Sequence, residues 1–334
     1  MERITIKDVA REAGVSASAV SRVFTDGGSA SAETRAKVLA AADRLGYRPS
    51  LLARGLVGNR TGLVTLVTGE LANPFDAQFL ERFAAALAER AMQLLLITAR
   101  TGAENEDALL QALDYRSDAV VVAAGTITPA HSELCVRAGL PVILSGRMLK
   151  ARGVDCVLAD NVEGGRLAAE LLLRTGLRRL AFLGLGGATF ADSERCEGFA
   201  EVARKAGVEI SIHRLEGSAE GSAMTAATEL LSSATPPDGI FCSNDSIAIA
   251  AIEAARALHF SIPEALSIVG FNDVAMAGWP SFRLTTIAYP VEQLVGAIVA
   301  LLESRLAQPS RPDEIQRIPV RLVPRATTRQ IPPS

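Results

Sequence analysis

Arg22, Ser18 and Ala17 lie on a stretch whose apolar residues recur at helical spacing, and their side-chain types are those that read base edges. A guanidinium donates two parallel bonds to guanine, a serine hydroxyl serves several bases, and an alanine methyl touches the thymine methyl. A second group of polar residues stands where short aliphatic runs end: Ser145-Gly146-Arg147, Asp160-Asn161, Asn244-Asp245 and Asn272-Asp273. On parallel sheets, ligands bind beyond the carboxyl ends of the strands. Such positions suit ligand recognition, although Asp160, Asp245 and Asp273 would serve equally as helix caps.

Catalytic patterns are missing. The run Gly184-Leu185-Gly186-Gly187-Ala188-Thr189 places threonine where a dinucleotide turn needs its third glycine, and neither a Gly-x-Ser-x-Gly elbow nor a Walker lysine loop occurs. Cys135, Cys156, Cys196 and Cys242 form no Cys-x-x-Cys pair and lie far from the three histidines, which predicts neither a disulfide framework nor a zinc site. The expectation is a protein that is not an enzyme and takes no cofactor.

The base-reading residues need a scaffold. Ile6, Val9, Ala10 and Ala13 form one helical block, and Ala17, Val20, Val23 and Phe24 a second, with Gly14-Val15-Ser16 between them. Thr5 caps the first, with Asp8 favouring its first turn, and Ser16 caps the second. Ala10 is small where the helices meet, Gly14 turns the chain and Val20 fills the shared core, which is helix-turn-helix spacing. A third helix, from about Ala32 to Leu45 and capped by Ser31, completes the unit.

Beyond it, Pro49 ends what precedes, Ser50 can cap a short helix, and Gly55 and Gly58 weaken that helix. From Gly62 onward, strand candidates (Leu63 to Val67, Gln93 to Thr98, Ala119 to Ala123, Val142 to Ser145, Leu180 to Leu183, Ile240 to Ser243, Ser267 to Phe271) alternate with amphipathic helices such as Phe79 to Ala91 and Ser193 to Ala206. That alternation predicts two doubly wound, parallel-sheet α/β lobes behind an all-α head.

Composition agrees: 49% hydrophobic and 21% charged residues over 334 positions suffice for a sizeable aliphatic core. The first 60 residues carry ten Lys/Arg and six Asp/Glu, while the rest is net acidic, a polarity suited to one end approaching phosphate. The charged N-terminal stretch and the lack of long apolar runs predict a cytoplasmic protein with no membrane partner.

The run Ile4 to Val23, Ser31-Ala32-Glu33-Thr34-Arg35 and Gly46-Tyr47-Arg48-Pro49 closely resemble the lactose/galactose repressor (LacI/GalR) family. The resemblance extends through Asn73-Pro74-Phe75, Asp160-Asn161 with Glu163 to Arg166, Arg195 with Gly198-Phe199, Asn244-Asp245 and Ser267 to Asp273, nearly the whole chain. It implies a helix-turn-helix DNA-binding domain over 1–48, a hinge helix or linker over 49–60, and an effector-binding and dimerisation domain of periplasmic-binding-protein type over 61–334. Its lobes would run from about 61 to 160 with 289–320, and about 161 to 288 with 321–334.

The DNA contacts so implied are Thr5, Ser16, Ala17, Ser18, Ser21, Arg22 and Leu56. Leu56 would be the wedge that the hinge inserts into the minor groove, with Ala53 on the pairing face. Gly55 stands where relatives often carry a polar residue, raising the ordering cost of the hinge. The effector contacts implied are Phe75, Arg147, Asp160, Arg195, Asn244 and Asn272, for a sugar or sugar acid. Asn272 replaces the aspartate of well-known sugar and purine binders.

The reading is a sequence-specific transcriptional regulator, a repressor by family default, binding double-stranded operator DNA as a homodimer under effector control. The alternative is a solute-binding or sensor protein of the same body fold with a nonstandard output.

Overall fold

A computed structural model of the chain describes residues 4–24, 28–48, 60–69, 71, 73–99, 102–123, 127–186, 189–216 and 219–330. They form two compact units, one of the chain up to Leu63 with Arg116–Asp118, the other of everything else. The hinge expected over 49–60, with Ala53, Gly55 and Leu56, lies outside the described residues apart from residue 60.

In the first unit three helices, α1 (Ile6–Ala13), α2 (Ala17–Phe24) and α3 (Ala32–Leu45), enclose Val9, Ala10, Val20, Val23, Val38 and Ala41. Each boundary has a local cause. The Thr5 amide and hydroxyl donate to Asp8 at 3.0 and 2.7 Å, and Gly14 ends α1 at φ 66°, a left-handed conformation cheap only for glycine. Ser16 Oγ accepts from the Ala19 amide at 3.2 Å, and Ser31 Oγ from the Thr34 amide at 3.1 Å. Arg44 ties α3 to Glu12 of α1, and Arg35 ties it to the Val23 carbonyl.

The second unit holds two six-stranded sheets. Lobe 1 has strands β1 (Leu63–Thr68), β2 (Gln93–Thr98), β3 (Ala119–Val122), β4 (Val142–Ser145), β5 (Val154–Ala159) and β11 (Ile315–Ile318), in the order β11-β5-β4-β3-β1-β2. Lobe 2 has β6 (Leu180–Gly184), β7 (Ile210–Arg214), β8 (Gly239–Cys242), β9 (Ser267–Asn272), β10 (Thr285–Ala288) and β12 (Arg321–Val323), in the order β12-β10-β9-β8-β6-β7.

Helices cross between strands: α4 (Pro74–Ala88), α5 (Gly102–Asp114), α6 (Pro129–Arg137), α7 (Asn161–Arg174), α8 (Phe190–Lys205), α9 (Ala219–Leu231), α10 (Asp245–Ala257) and α11 (Val291–Ala307). Among the described residues no helix is long and apolar enough to cross a membrane, and no His/Cys/Asp/Glu group could hold a metal ion.

The expected parallel pattern holds except at one edge. β12 runs antiparallel to β10, pairing Thr286 with Val323. Strands β5, β7, β10, β11 and β12 were not anticipated because polar residues interrupt their apolar runs, as Asp155 does in β5 and Gln316-Arg317 do in β11. Asp155 is fully buried and bonded bidentately by both Arg305 of α11 and Arg311. The helix expected over Phe79 to Ala91 begins earlier, at Pro74, because Asn73 Oδ1 accepts from the Phe75 amide and Pro74 fits the first turn.

The chain passes between lobes at three places: after β5, after β10 and after β11. Two are stapled by backbone bonds, Asp160 N–H to the Ile318 carbonyl at 2.9 Å and Tyr289 N–H to the Asn272 carbonyl at 3.4 Å. Helices α7 and α8 lie so close that a Cβ on Gly165 would meet the Arg195 carbonyl and one on Gly198 the Val162 carbonyl. This glycine notch lets α8 approach α7 at Arg195.

Candidate functional site

The head presents one surface suited to nucleic acid. Helix α2 buries Val20 and Val23 and leaves Ala17, Ser18 and Arg22 exposed, with Ser21 half-buried beside them. Three of the expected contact residues are thus solvent-facing on one short helix. The Thr5 and Ser16 hydroxyls are occupied within the head, Thr5 on Asp8 and Ser16 on its cap and on Ser18 Oγ at 2.9 Å. Both remain exposed.

In the body, parallel strands bring their carboxyl ends to one edge of each sheet, and α7 and α8 start there. Arg195, one turn into α8, is buried and held on three sides: Nε donates to Asn161 Oδ1 at 2.9 Å, Nη1 to the Ser243 carbonyl at 2.5 Å, and the guanidinium lies 3.6 Å over the Phe271 ring. Burial lowers its pKa to about 10, against the pull of Asp192, Tyr289, Asp245 and Asp76, so it stays charged at neutral pH. Asn161 also donates to Glu194, which pairs with Arg317 of β11 at 2.6 Å. A polar chain therefore links Arg195 in lobe 2 to an edge strand of lobe 1.

Arg147 follows β4 in lobe 1. Its Nη2 reaches the Ala123 carbonyl at 3.4 Å, its Nε is buried without a partner among the described residues, and burial lowers its pKa. Ser243 Oγ and Tyr289 Oη are likewise buried without partners among the described residues. Orphaned buried polar atoms of this kind are costly unless a ligand or water completes them.

The remaining expected effector residues divide. Asp160 Oδ1 caps α7 through the Glu163 amide at 3.3 Å, and Asn244 Oδ1 caps α10 through the Ile247 amide at 2.9 Å, so both have structural duties. Asn272 is buried at the end of β9 with φ 115°, and Phe75 stacks on Tyr289 with centroids 5.3 Å apart and planes at 18°. Phe75 of lobe 1 packs against the lobe-2 core, and Phe190 of lobe 2 against the lobe-1 core.

Asp76 and Tyr289 were not anticipated. Asp76 sits in the first turn of α4 beside Phe75; burial raises its pKa to about 6, while Arg195 pulls the other way. The Tyr289 hydroxyl is raised by burial. Asp76 could have been suspected from its place after Asn73-Pro74-Phe75; Tyr289 follows a strand whose apolar run is too short to stand out. Asp245 is raised to about 7 by burial, yet its carboxylate is committed to Thr286 Oγ1 at 2.5 Å and the Val274 amide at 2.8 Å, which fixes the loop after β9.

With the geometry in place, the chain was compared with known proteins. Residues 5–50 match the model for bacterial regulatory proteins of the lacI family, and residues 169–328 that for the periplasmic binding protein-like domain. The chain is 32% identical to the HTH-type transcriptional regulator CelR of Thermobifida fusca, over 91% of this chain and 92% of that one. It is 31% identical to the HTH-type transcriptional regulator DegA of Bacillus subtilis (strain 168), over 87% and 88% of the two chains. Among solved structures, a transcriptional regulator CelR–cellobiose complex superposes with a TM-score of 0.72 at 29% identity, covering 97% of this chain and 100% of that one.

Proposed function

The chain belongs to the lacI family of bacterial regulatory proteins, and on that premise we propose how its residues divide the work of a DNA-binding transcriptional regulator. It is a regulator of the repressor type, with operator affinity controlled by a small molecule held between the lobes. The observation that carries the reading is helix α2, which buries Val20 and Val23 and exposes Ala17, Ser18 and Arg22. That helix enters the major groove, with Arg22 on guanine and Ala17 and Ser18 on neighbouring edges. Thr5, Ser16 and Ser21 flank the contact, and Leu56 wedges the minor groove from the hinge.

Two copies act together on a near-palindromic operator in the cytoplasm. In support, Leu96 on edge strand β2, Leu110 on α5, Tyr115, Ile212 on edge strand β7 and Met224 on α9 are large apolar residues left exposed, as a second copy would require. The effector is a sugar or sugar acid bound by Arg147, Arg195, Asn244, Asn272 and Phe75, with Asp160 at the rim. The cellobiose bound to CelR supports the carbohydrate class. Such a ligand shifts DNA affinity only by binding the two lobe arrangements unequally.

Selection of duplexes from a random library by the full chain is expected to enrich a palindromic site, with a sugar found by thermal shift changing its affinity. No enriched sequence would end the reading.

A further inference from the structure

Helix α8 grips both lobes within its first two turns. Phe190, its first residue, packs against the lobe-1 core, and Asp192 is tied within lobe 2 to Arg214 and the Leu185 amide. Glu194 and Arg195 follow, and neighbours on a helix project about 100° apart. Arg195 turns to Asn161, the Ser243 carbonyl and the Phe271 ring. Glu194 turns to lobe 1, where Arg317 of β11 holds it as a fork, Nη1 on Oε2 at 3.1 Å and Nη2 on Oε1 at 2.6 Å. Among the ion pairs of the described body residues, the others each stay within one lobe. Asn161 bridges the two neighbours. Arg195 Nε can only donate, so Asn161 offers it Oδ1 at 2.9 Å, which turns the other end of the amide, Nδ2, to Glu194 Oε2 at 3.1 Å. A flipped amide would set donor against donor and acceptor against acceptor. Oε2 therefore receives Asn161 and Arg317 together, beside two of the places where the chain changes lobe: Asn161 opens α7 just after β5, and Arg317 lies at the end of β11. The Asp160 amide bonds the Ile318 carbonyl between them.

We propose that Glu194 is a positioning residue that couples Arg195 to the lobe crossover, holding Asn161 in the one orientation that receives Arg195 and passing a movement of either to β11. Withdrawal of Arg317 with lobe 1 deprives Glu194 of its fork, loosens the Asn161 amide and releases the Arg195 Nε bond. A ligand that fixes Arg195 drives the same chain in reverse and tightens β11, because coupling between two sites is reciprocal. The relay itself needs no ligand; its use by an effector rests on the cleft being the effector site.

The test is amide hydrogen exchange on the full chain with no sugar added, reading Asp160 and β11 against the buried strands β3 and β6. Glu194→Gln keeps an acceptor but loses the charge and the fork. It is expected to speed exchange at Asp160 and β11 by roughly three- to tenfold, the scale of a partly exposed charged hydrogen bond, and to leave β3 and β6 unchanged. Arg317→Gln gives the same acceleration, and the double variant adds little to either. Arg195→Lys reads the coupling: it keeps the charge and removes the Nε donor, and none of the described contacts of Arg195 is with β11, yet the same amides speed up. Asn161→Ala, which removes the bridge and leaves both charges in place, does likewise. Glu201→Gln, on the same helix but bound to Arg166 and Lys205, does not. Unchanged exchange at β11 in Glu194→Gln overturns the proposal. So does unchanged exchange there in both Arg195→Lys and Asn161→Ala, or acceleration in which β3 and β6 share equally, which is a general loss of stability. Since no sugar is present, these outcomes stand apart from the effector reading, which the sugar-induced thermal shift tests.

Discussion

The head and the two-lobed body handle charge in opposite ways. Every ion pair described in the head, Asp8 with Arg11, Glu33 with Lys37 and Glu12 with Arg44, lies at the surface over an apolar core. In the body, Asp155 is buried between Arg305 and Arg311, and Asp192 is buried against Arg214. Surface pairs contribute little to stability, whereas removing one member of a buried pair strands its partner. The apolar core of the head closes without Arg22 and Ser18, so the DNA contact proposed for them would cost that core nothing. The cleft is a fixed network, and most of its charges are held in place before a ligand arrives.

Breaking that contrast begins with the largest effect. Asp155→Ala leaves two guanidiniums without their shared carboxylate and should cost about 3–5 kcal/mol in urea unfolding of the full chain, with the head's helical signal unaffected. A cost under about 1 kcal/mol would place this buried pair with the surface ones. Arg195→Ala comes next: it removes bonds to Asn161 and Ser243 and the contact with Phe271, and should abolish effector-induced thermal shift while lowering stability by about 1–3 kcal/mol. Arg22→Ala should leave stability unchanged and cost about 1–3 kcal/mol of discrimination at one base position per half-site, measured on single-base operator variants.

The last contrast is in pH, and the two regions differ in sign. Asp245 and Asp76 titrate at about 7 and about 6 when folded, above their unfolded values, so the folded body holds more protons and gains stability as pH falls from 7 toward 5. Asp8 and Glu33 in the head are shifted down, Asp8 by its bonds from Thr5 and Glu33 by Lys37. The stability they lend is complete at neutral pH and is lost only below the usual carboxylate range. Melting curves from pH 7.5 to 5 should show the body's transition rising, and Asp245→Asn should flatten much of that rise.

The head was legible because its determinants are local. Thr5 with Asp8, Gly14, Ser16 and Ser31 each act within three or four residues, and all stand where the spacing put them. In the body the alternation of strands and helices could be read, but not β5 or β11, whose polar interruptions are satisfied by residues far along the chain: Asp155 by Arg305, Arg317 by Glu194. The cleft was legible in part. Arg147, Asn244 and Asn272 were anticipated at strand ends and Arg195 through the family resemblance; the capping role open to Asp160 is the one it takes, while that of Asn244 and the nearness of Asp76 to Arg195 are seen only in the fold.

Strands β11 and β12 complete the edges of lobe 1 and lobe 2, and they are separated by only two residues, 319 and 320. Neither sheet can finish until that stretch has left the ribosome. The three helices of the head, complete by Leu45, emerge long before and can fold first. For much of each round of synthesis the nascent chain therefore carries a DNA reader with no finished sensor behind it. A chain cut short before residue 315 would hold the three packed helices of the head but could close neither sheet of the body.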